Sequence, residues 1–212
     1  KGLATNVAAY LGLKIPKSID PINGSFPADA NPKDYQPLMV KSSLESSAAL
    51  SMEHTVKDTI ATRKVAFLLA DGVNETSVSL MKKMLEAKGA VVELVATKLG
   101  TVMAENKVEL GIPKSLLTTD SVLYDAVYVP GGKKSIATLA AIPDAIHFLN
   151  EAYKHCKAIA ADEDARNLLN ATNFSAELAS APGVVISSKS KELATDFITA
   201  IGMHRFWERE KS

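Results

Sequence analysis

Little in this sequence can cross-link a chain, span a bilayer or bias a surface toward one charge. Cys156 is the single cysteine in 212 residues, so no disulfide can form within the chain. That fits a reducing, cytoplasmic compartment and leaves secretion of a longer parent open. No apolar run reaches the roughly 18 residues that a membrane helix needs. Lys+Arg and Asp+Glu both number 24, and this balance gives no reason to expect nucleic acid or an anionic membrane as a partner. Catalytic signatures are missing too. No serine stands in G-x-S-x-G, and the four histidines, His54, His147, His155 and His204, form no H-E-x-x-H or close Cys/His pattern; neither a metal site nor a nucleophilic triad can be assembled from these parts. Lys134-Ser135 lacks the preceding glycine of a P-loop.

What is present is apolar and periodic. Hydrophobic residues make up 47% of the chain, enough to pack one domain of about 150 residues with an additional segment. Residues 1–13 carry Leu3, Val7 and Leu11 at helical spacing, with Gly12 and Pro16 as stop signals. Residues 14–63 read as a long linker or arm, because Pro16, Pro21, Pro27, Pro32 and Pro37 recur among Asn, Asp, Ser and Gly and proline withholds backbone donors. Starting at Lys1 with no methionine or signal segment, the chain reads as a piece of something longer.

From Lys64 the texture changes. Val65–Ala70 is a continuous apolar run, as in a strand covered on both faces. A helix over Glu75–Lys88 follows, ending at Gly89, then a strand over Ala90–Ala96 and a short hairpin over Thr101–Gly111. Tyr124–Val129 is a third strand, Ser135–Ala141 a short helix, and Pro143 opens a helix over Asp144–His155. Strands at Lys157–Ala161 and Val184–Ser187 flank a helix beginning at Asp162, and a last helix is expected from Lys189 to Trp207 with His204 on its apolar stripe. Alternating strands and helices predict a three-layer α/β/α sandwich around a mainly parallel sheet over 64–212.

Ligands of such sheets bind beyond the carboxyl ends of the strands, which here are Asp71–Glu75, Val129–Lys134 and Ala160–Asp164. In the first, Asn74 is placed to cap the next helix and Glu75 to meet its positive end; either acid of the turn could instead serve as a general acid or base. In the second, Gly131 and Gly132 offer amides, and Lys133 and Lys134 offer charge, to an oxyanion or phosphate, although a tight turn into a helix explains the same residues. In the third, the short strand followed at once by a helix has the layout of a nucleophile elbow, yet it carries Asp162, Glu163 and Asp164. Three acids there suit the helix dipole and supply too few oxygens for a cation on their own. Cys156 lies at the opposite end of its strand and reads as a packed thiol.

Val65-Ala66-Phe67-Leu68-Leu69 with Asp71-Gly72-Val73, followed by Val129-Pro130-Gly131-Gly132, resembles the PfpI-like branch of the class I glutamine amidotransferase-like superfamily. The resemblance implies a flavodoxin-like fold. It places Glu163 where active members hold cysteine, Asp164 where they hold histidine, and Asn74 at the acid position with Glu75 beside it. A narrower match is carried by Glu151-Ala152-Tyr153-Lys154-His155-Cys156-Lys157-Ala158-Ile159-Ala160, by Asp164-Ala165-Arg166, by His204-Arg205-Phe206-Trp207 and by Val7-Ala8-Ala9-Tyr10-Leu11-Gly12-Leu13. These are similar to the C-terminal region of large-subunit (clade 2) catalases. That resemblance implies that 1–13 is the last helix of a preceding region and 14–63 the connection. It implies a haem in the missing part of a parent that decomposes hydrogen peroxide, no cofactor in this chain, and the catalase core and sister subunits as partners. It permits an ATP-independent chaperone role toward unfolded clients. The alternatives are a PfpI-like hydrolase or deglycase using Glu163 with the Gly131 and Gly132 amides, and a small anion-binding module at Gly131–Lys134.

Overall fold

A computed structural model of the chain describes residues 2–14, 31, 47–51, 54 and 57–211. The chain divides into two units, residues 1–46 and 47–212. Most of the Pro-rich stretch lies outside the described residues. In the first unit α1 (Gly2–Tyr10) ends as its sequence expects. Gly12 takes φ +67°, its N–H reaches the Ala9 carbonyl at 3.2 Å, and the Leu13 N–H reaches the Ala8 carbonyl at 2.8 Å. These paired bonds satisfy carbonyls that the last turn would otherwise leave without donors.

The second unit contains β1 (Lys64–Leu69), α2 (Glu75–Glu86), β2 (Val91–Ala96), β3 (Gly100–Met103), β4 (Glu109–Ile112), β5 (Lys114–Ser115) and β6 (Ala126–Val129). It continues with α3 (Lys133–Ala140), α4 (Pro143–Lys154), β7 (Ala158–Asp162), α5 (Arg166–Leu169), β8 (Val184–Ser187) and α6 (Ser190–Gly202). Six strands form one sheet in the order β5-β2-β1-β6-β7-β8, and every neighbouring pair is parallel. Among the described residues only β3 and β4 pair antiparallel, as a separate hairpin.

Alternation along β1 explains the layers. Val65, Phe67 and Leu69 face one side, where Met81 and Leu85 of α2 and Leu193, Phe197 and Ile201 of α6 cover them. Ala66 and Leu68 face the other, under Leu139 of α3, Phe148 and Leu149 of α4 and Leu168 of α5. Every side chain of β1 after Lys64 is therefore buried, which is why the run is apolar without a polar alternate. Register sets Phe67 beside Tyr128, and their rings meet edge to face at 4.8 Å.

The last helix is shorter than its apolar stripe suggests. It stops at Gly202, and His204 turns the chain at φ +66° instead of lying on the helix. The chain continues as a strap to a 3-10 turn at Trp207–Lys211, with the Phe206 ring against Gly183. A Cβ at Gly183 would stand 2.2 Å from that ring. The elbow after β7 is also not a plain helix: a 3-10 turn at Glu163–Ala165 precedes the four-residue α5. The two-residue β5 and a 3-10 turn at Ser121–Leu123 are additional elements.

Candidate functional site

The strand order reverses between β1 and β6, so the crevice beyond their carboxyl ends is where this topology places a ligand. A cleft of about 600 Å3 opens there, with Asp71, Asn74, Glu105, Lys133, Lys134 and Asp164 along its walls. Its frame is made of short backbone bonds. The Gly72 N–H donates to the Met103 carbonyl at 2.7 Å and the Asn74 N–H to the Gly131 carbonyl at 2.8 Å. Ser135 Oγ, buried in the first turn of α3, accepts from the Ala70 N–H at 2.9 Å. Gly132 sits at φ +117°, and a Cβ there would lie 2.3 Å from the Gly72 carbonyl oxygen, so only glycine lets these two strand ends approach.

The expected site residues fall into different roles. Asn74 caps α2, its Oδ1 accepting from the Ser77 N–H at 3.0 Å. Glu75 is held by the Ser79 hydroxyl and, at 3.3 Å, by the Asn106 amide. Gly131 does not offer its amide to a ligand: that N–H donates to Asp162 Oδ2 at 2.8 Å. Asp162 Oδ1 also accepts from the Tyr128 hydroxyl at 2.8 Å. Burial first, and then the Asp162 charge, push the Tyr128 phenol well above its ordinary range. A carboxylate at this spot repels an oxyanion rather than holding one.

Glu163 is exposed and turned toward Arg166, which donates to its two oxygens at 2.7 and 3.2 Å. That bond holds the Glu163 carboxyl below its usual range. A working elbow strains its nucleophile into an unusual backbone conformation. Among the described residues the non-glycine positions with positive φ are Thr62, Lys107, Cys156 and His204, and Glu163 is not one of them. Glu163 and Asp164 also border a neighbouring cleft of about 410 Å3 beside α3. The three acids thus part company: Asp162 points to Tyr128 and Gly131, Glu163 to Arg166, and Asp164 to the clefts.

The opposite end of the sheet holds a denser set of charges. Asp125, just before β6, accepts from the Lys64 N–H at 2.9 Å and from Arg63 Nη1 at 3.3 Å. His204 Nε2 lies 3.8 Å from the same carboxylate. Burial, and then Arg205 and Arg63, bring the His204 imidazole down to about 4 and outweigh the pull of Asp125. Lys157 is buried, donates to the Ser121 carbonyl, and is brought down to about 8 by burial and then by Arg205. Arg209 reaches across the strap to the carbonyls of Pro182 at 2.8 Å, Lys157 at 2.9 Å and Tyr153 at 3.3 Å, with its guanidinium 4.3 Å above the Tyr153 ring. Burial raises the Cys156 thiol, which disfavours the thiolate that reacts.

The sequence reading missed Asp162 as the tie between β7 and the Gly131 turn, and it missed Arg209 altogether. A signal existed for the first, since a tyrosine in an apolar strand needs a polar partner. Arg209 had none, because its partners are backbone carbonyls.

Comparison with known proteins agrees with this geometry. Residues 61–211 match the model of the C-terminal domain found in long catalases. Catalase HPII of Pseudomonas aeruginosa is 35% identical over 98% of this chain and 26% of its own length. Catalase-2 of Bacillus subtilis is 35% identical over 77% of this chain and 23% of its own. The chain therefore spans about a quarter of the length of these relatives. Among solved structures, oxidized DJ-1 of Toxoplasma gondii covers 71% of this chain and 95% of its own, with a TM-score of 0.58 at 16% identity. A DJ-1 superfamily protein of Salmonella typhimurium covers 65% of this chain and 86% of its own, with a TM-score of 0.54 at 24% identity; both likenesses speak to the fold alone. With the sheet, the glycine turn and the strap in place and the family model spanning all three, this chain belongs to the family of C-terminal domains found in long catalases.

Proposed function

We propose that this chain is a non-catalytic accessory domain of a large catalase, which stabilises its parent and holds unfolded polypeptides without ATP. The parent would decompose hydrogen peroxide with a haem bound in its other part. Residues 14–63 would lead from that part to the domain, with the catalase core and sister subunits as standing partners. Asn74, Glu75, Gly131, Gly132, Glu163 and Asp164 would be the remains of a catalytic constellation. The observation that carries the reading is the relaxed elbow: Glu163 is tied outward to Arg166, and Asp162 occupies the Gly131 amide.

The tyrosines of the second unit do not fit a haem iron. Tyr124, Tyr128 and Tyr153 each donate to a carboxylate, of Glu93, Asp162 and Glu177. Burial together with these acids raises Tyr124 and Tyr153 to about 12, which opposes the phenolate that ligation requires.

Two measurements test the reading. Heat inactivation of the parent with and without residues 64–212 should show earlier loss in the truncated form; equal loss rejects the stabilising role. Light scattering of heated alcohol dehydrogenase should fall when the chain is added at stoichiometric ratio without ATP. Scattering equal to that with an inert protein rejects the holding role.

A further inference from the structure

A groove of about 280 Å3 runs along α4, sharing no residue with the cleft at the strand ends. Its base is Leu116 and Phe148, both buried, and its far wall is the 3-10 turn of Ser121–Leu123. Val122 on that wall is 75% exposed; Leu117 and Leu123 are exposed as well but do not line the groove. Val122 over the Leu116–Phe148 base gives the groove an apolar wall open to water. The turn that presents Val122 is held in place, because Lys157, just before β7, donates to the Ser121 carbonyl; a fixed surface loses less entropy when it is covered.

The acidic and basic side chains lining this groove are one-sided. Asp120, Asp144 and Glu151 line the groove, and among the described residues no lysine or arginine does. Glu151 is partly answered by Lys154 at 3.6 Å and His155 at 3.4 Å, which leaves Asp120 and Asp144 as the acids facing an occupant. In a chain with equal numbers of acidic and basic residues, such a rim complements a cationic partner. Its length is set by α4. From Asp144 to His155 the helix rises about 16 Å, the reach of about five extended residues.

We propose that this groove is a docking site for an extended polypeptide segment of about five residues that alternates basic and apolar side chains. The aspartates meet its basic residues, and Val122 with Leu116 and Phe148 meets its apolar ones. This rests on the reading that the domain holds unfolded chains, and it names where and which segments.

The test uses the full chain and two fluorescent peptides, one alternating lysine and leucine and one alternating glutamate and leucine, followed by anisotropy. The lysine peptide should bind, more weakly at 200 mM than at 50 mM salt, and the glutamate peptide should not. Asp120→Asn with Asp144→Asn should weaken binding at least tenfold, and Val122→Ser, at an exposed position of the groove wall with little folding cost, at least threefold. Thermal melts confirm that each variant is folded. Equal binding of both peptides, unchanged affinity in both variants, or no binding by the wild type each overturns the groove. Suppression of scattering that both variants retain would overturn the groove and leave the holding role standing. Peptide binding lost in the variants, with no suppression by the wild type, would support the groove and overturn the holding role.

Discussion

The two ends of the sheet use polar residues in opposite ways. At the carboxyl ends, where this topology is built to present chemistry, Asn74 caps a helix, the acids anchor turns, pair locally or line the clefts, and the glycines serve close approach. At the amino ends, Arg63, Asp125, Lys157, His204, Arg205 and Arg209 are drawn together. Burial lowers the pKa of Lys157, His204, Arg205 and Arg209 there. Strongly shifted groups usually mark a functional site; here they mark the seam where the strap closes on the sheet. Perturbation alone therefore does not locate chemistry. It has to coincide with an opening, and among the described residues the larger opening is at the other end.

This contrast can be broken most severely at the glycine turn. Gly132→Ala would press a methyl into the Gly72 carbonyl, and within 2.8 Å of Val73 Cα and Asn74 N. Urea unfolding should register a loss of about 4 kcal/mol, and a loss below about 1 kcal/mol would mean the turn yields easily. Arg209→Ala should follow, at about 3 kcal/mol, because several carbonyls lose a charged donor together. A matching Arg209→Lys should recover only part, since an ammonium cannot reproduce the planar fork.

The titration of His204 gives a smaller, pH-dependent effect. Its folded pKa, about 4, lies below the ordinary 6.5. The unfolded chain therefore takes up the proton first, and stability is lost as pH falls from 6.5 toward 4. The loss should be on the order of 2 kcal/mol, and His204→Asn should flatten that part of the pH profile by a similar amount. An unchanged slope would place the acid sensitivity elsewhere. Glu163→Gln should do least: no measurable change in melting temperature or in any esterase background measured with p-nitrophenyl acetate. A turnover that disappears with this substitution would restore the elbow to catalysis.

Much of the sheet was legible in the sequence because strands covered on both faces must be apolar throughout, and Val65–Ala70 announces itself that way; Val184–Ser187, at the sheet edge and partly buried, was legible from its short apolar run after the Pro182-Gly183 turn. Asn74 as a cap and the hairpin near Thr101–Gly111 were equally readable from local chemistry. The end of α6 was not, because its apolar spacing continues past Gly202 and only the tertiary pull of the strap decides where the helix stops. Asp162 and Tyr128 meet through the register of β6 on β7, which no local pattern displays. Lys157 looked like an ordinary strand opening, since a sequence does not show that its ammonium will be buried against the Ser121 carbonyl.

The register of β1 also carries a consequence in time. Val65 meets Val92 after a single intervening helix, but meets Ala126 only after the hairpin, β5 and a 3-10 turn have been threaded past. Loop closure is costlier for the second pairing, and distant pairings slow a fold. The β1–β2 unit should therefore form early in refolding and the β1–β6 seam later, so the cleft between their ends exists only once the chain has committed to its whole topology. A partly folded intermediate would possess half a sheet and no crevice at all.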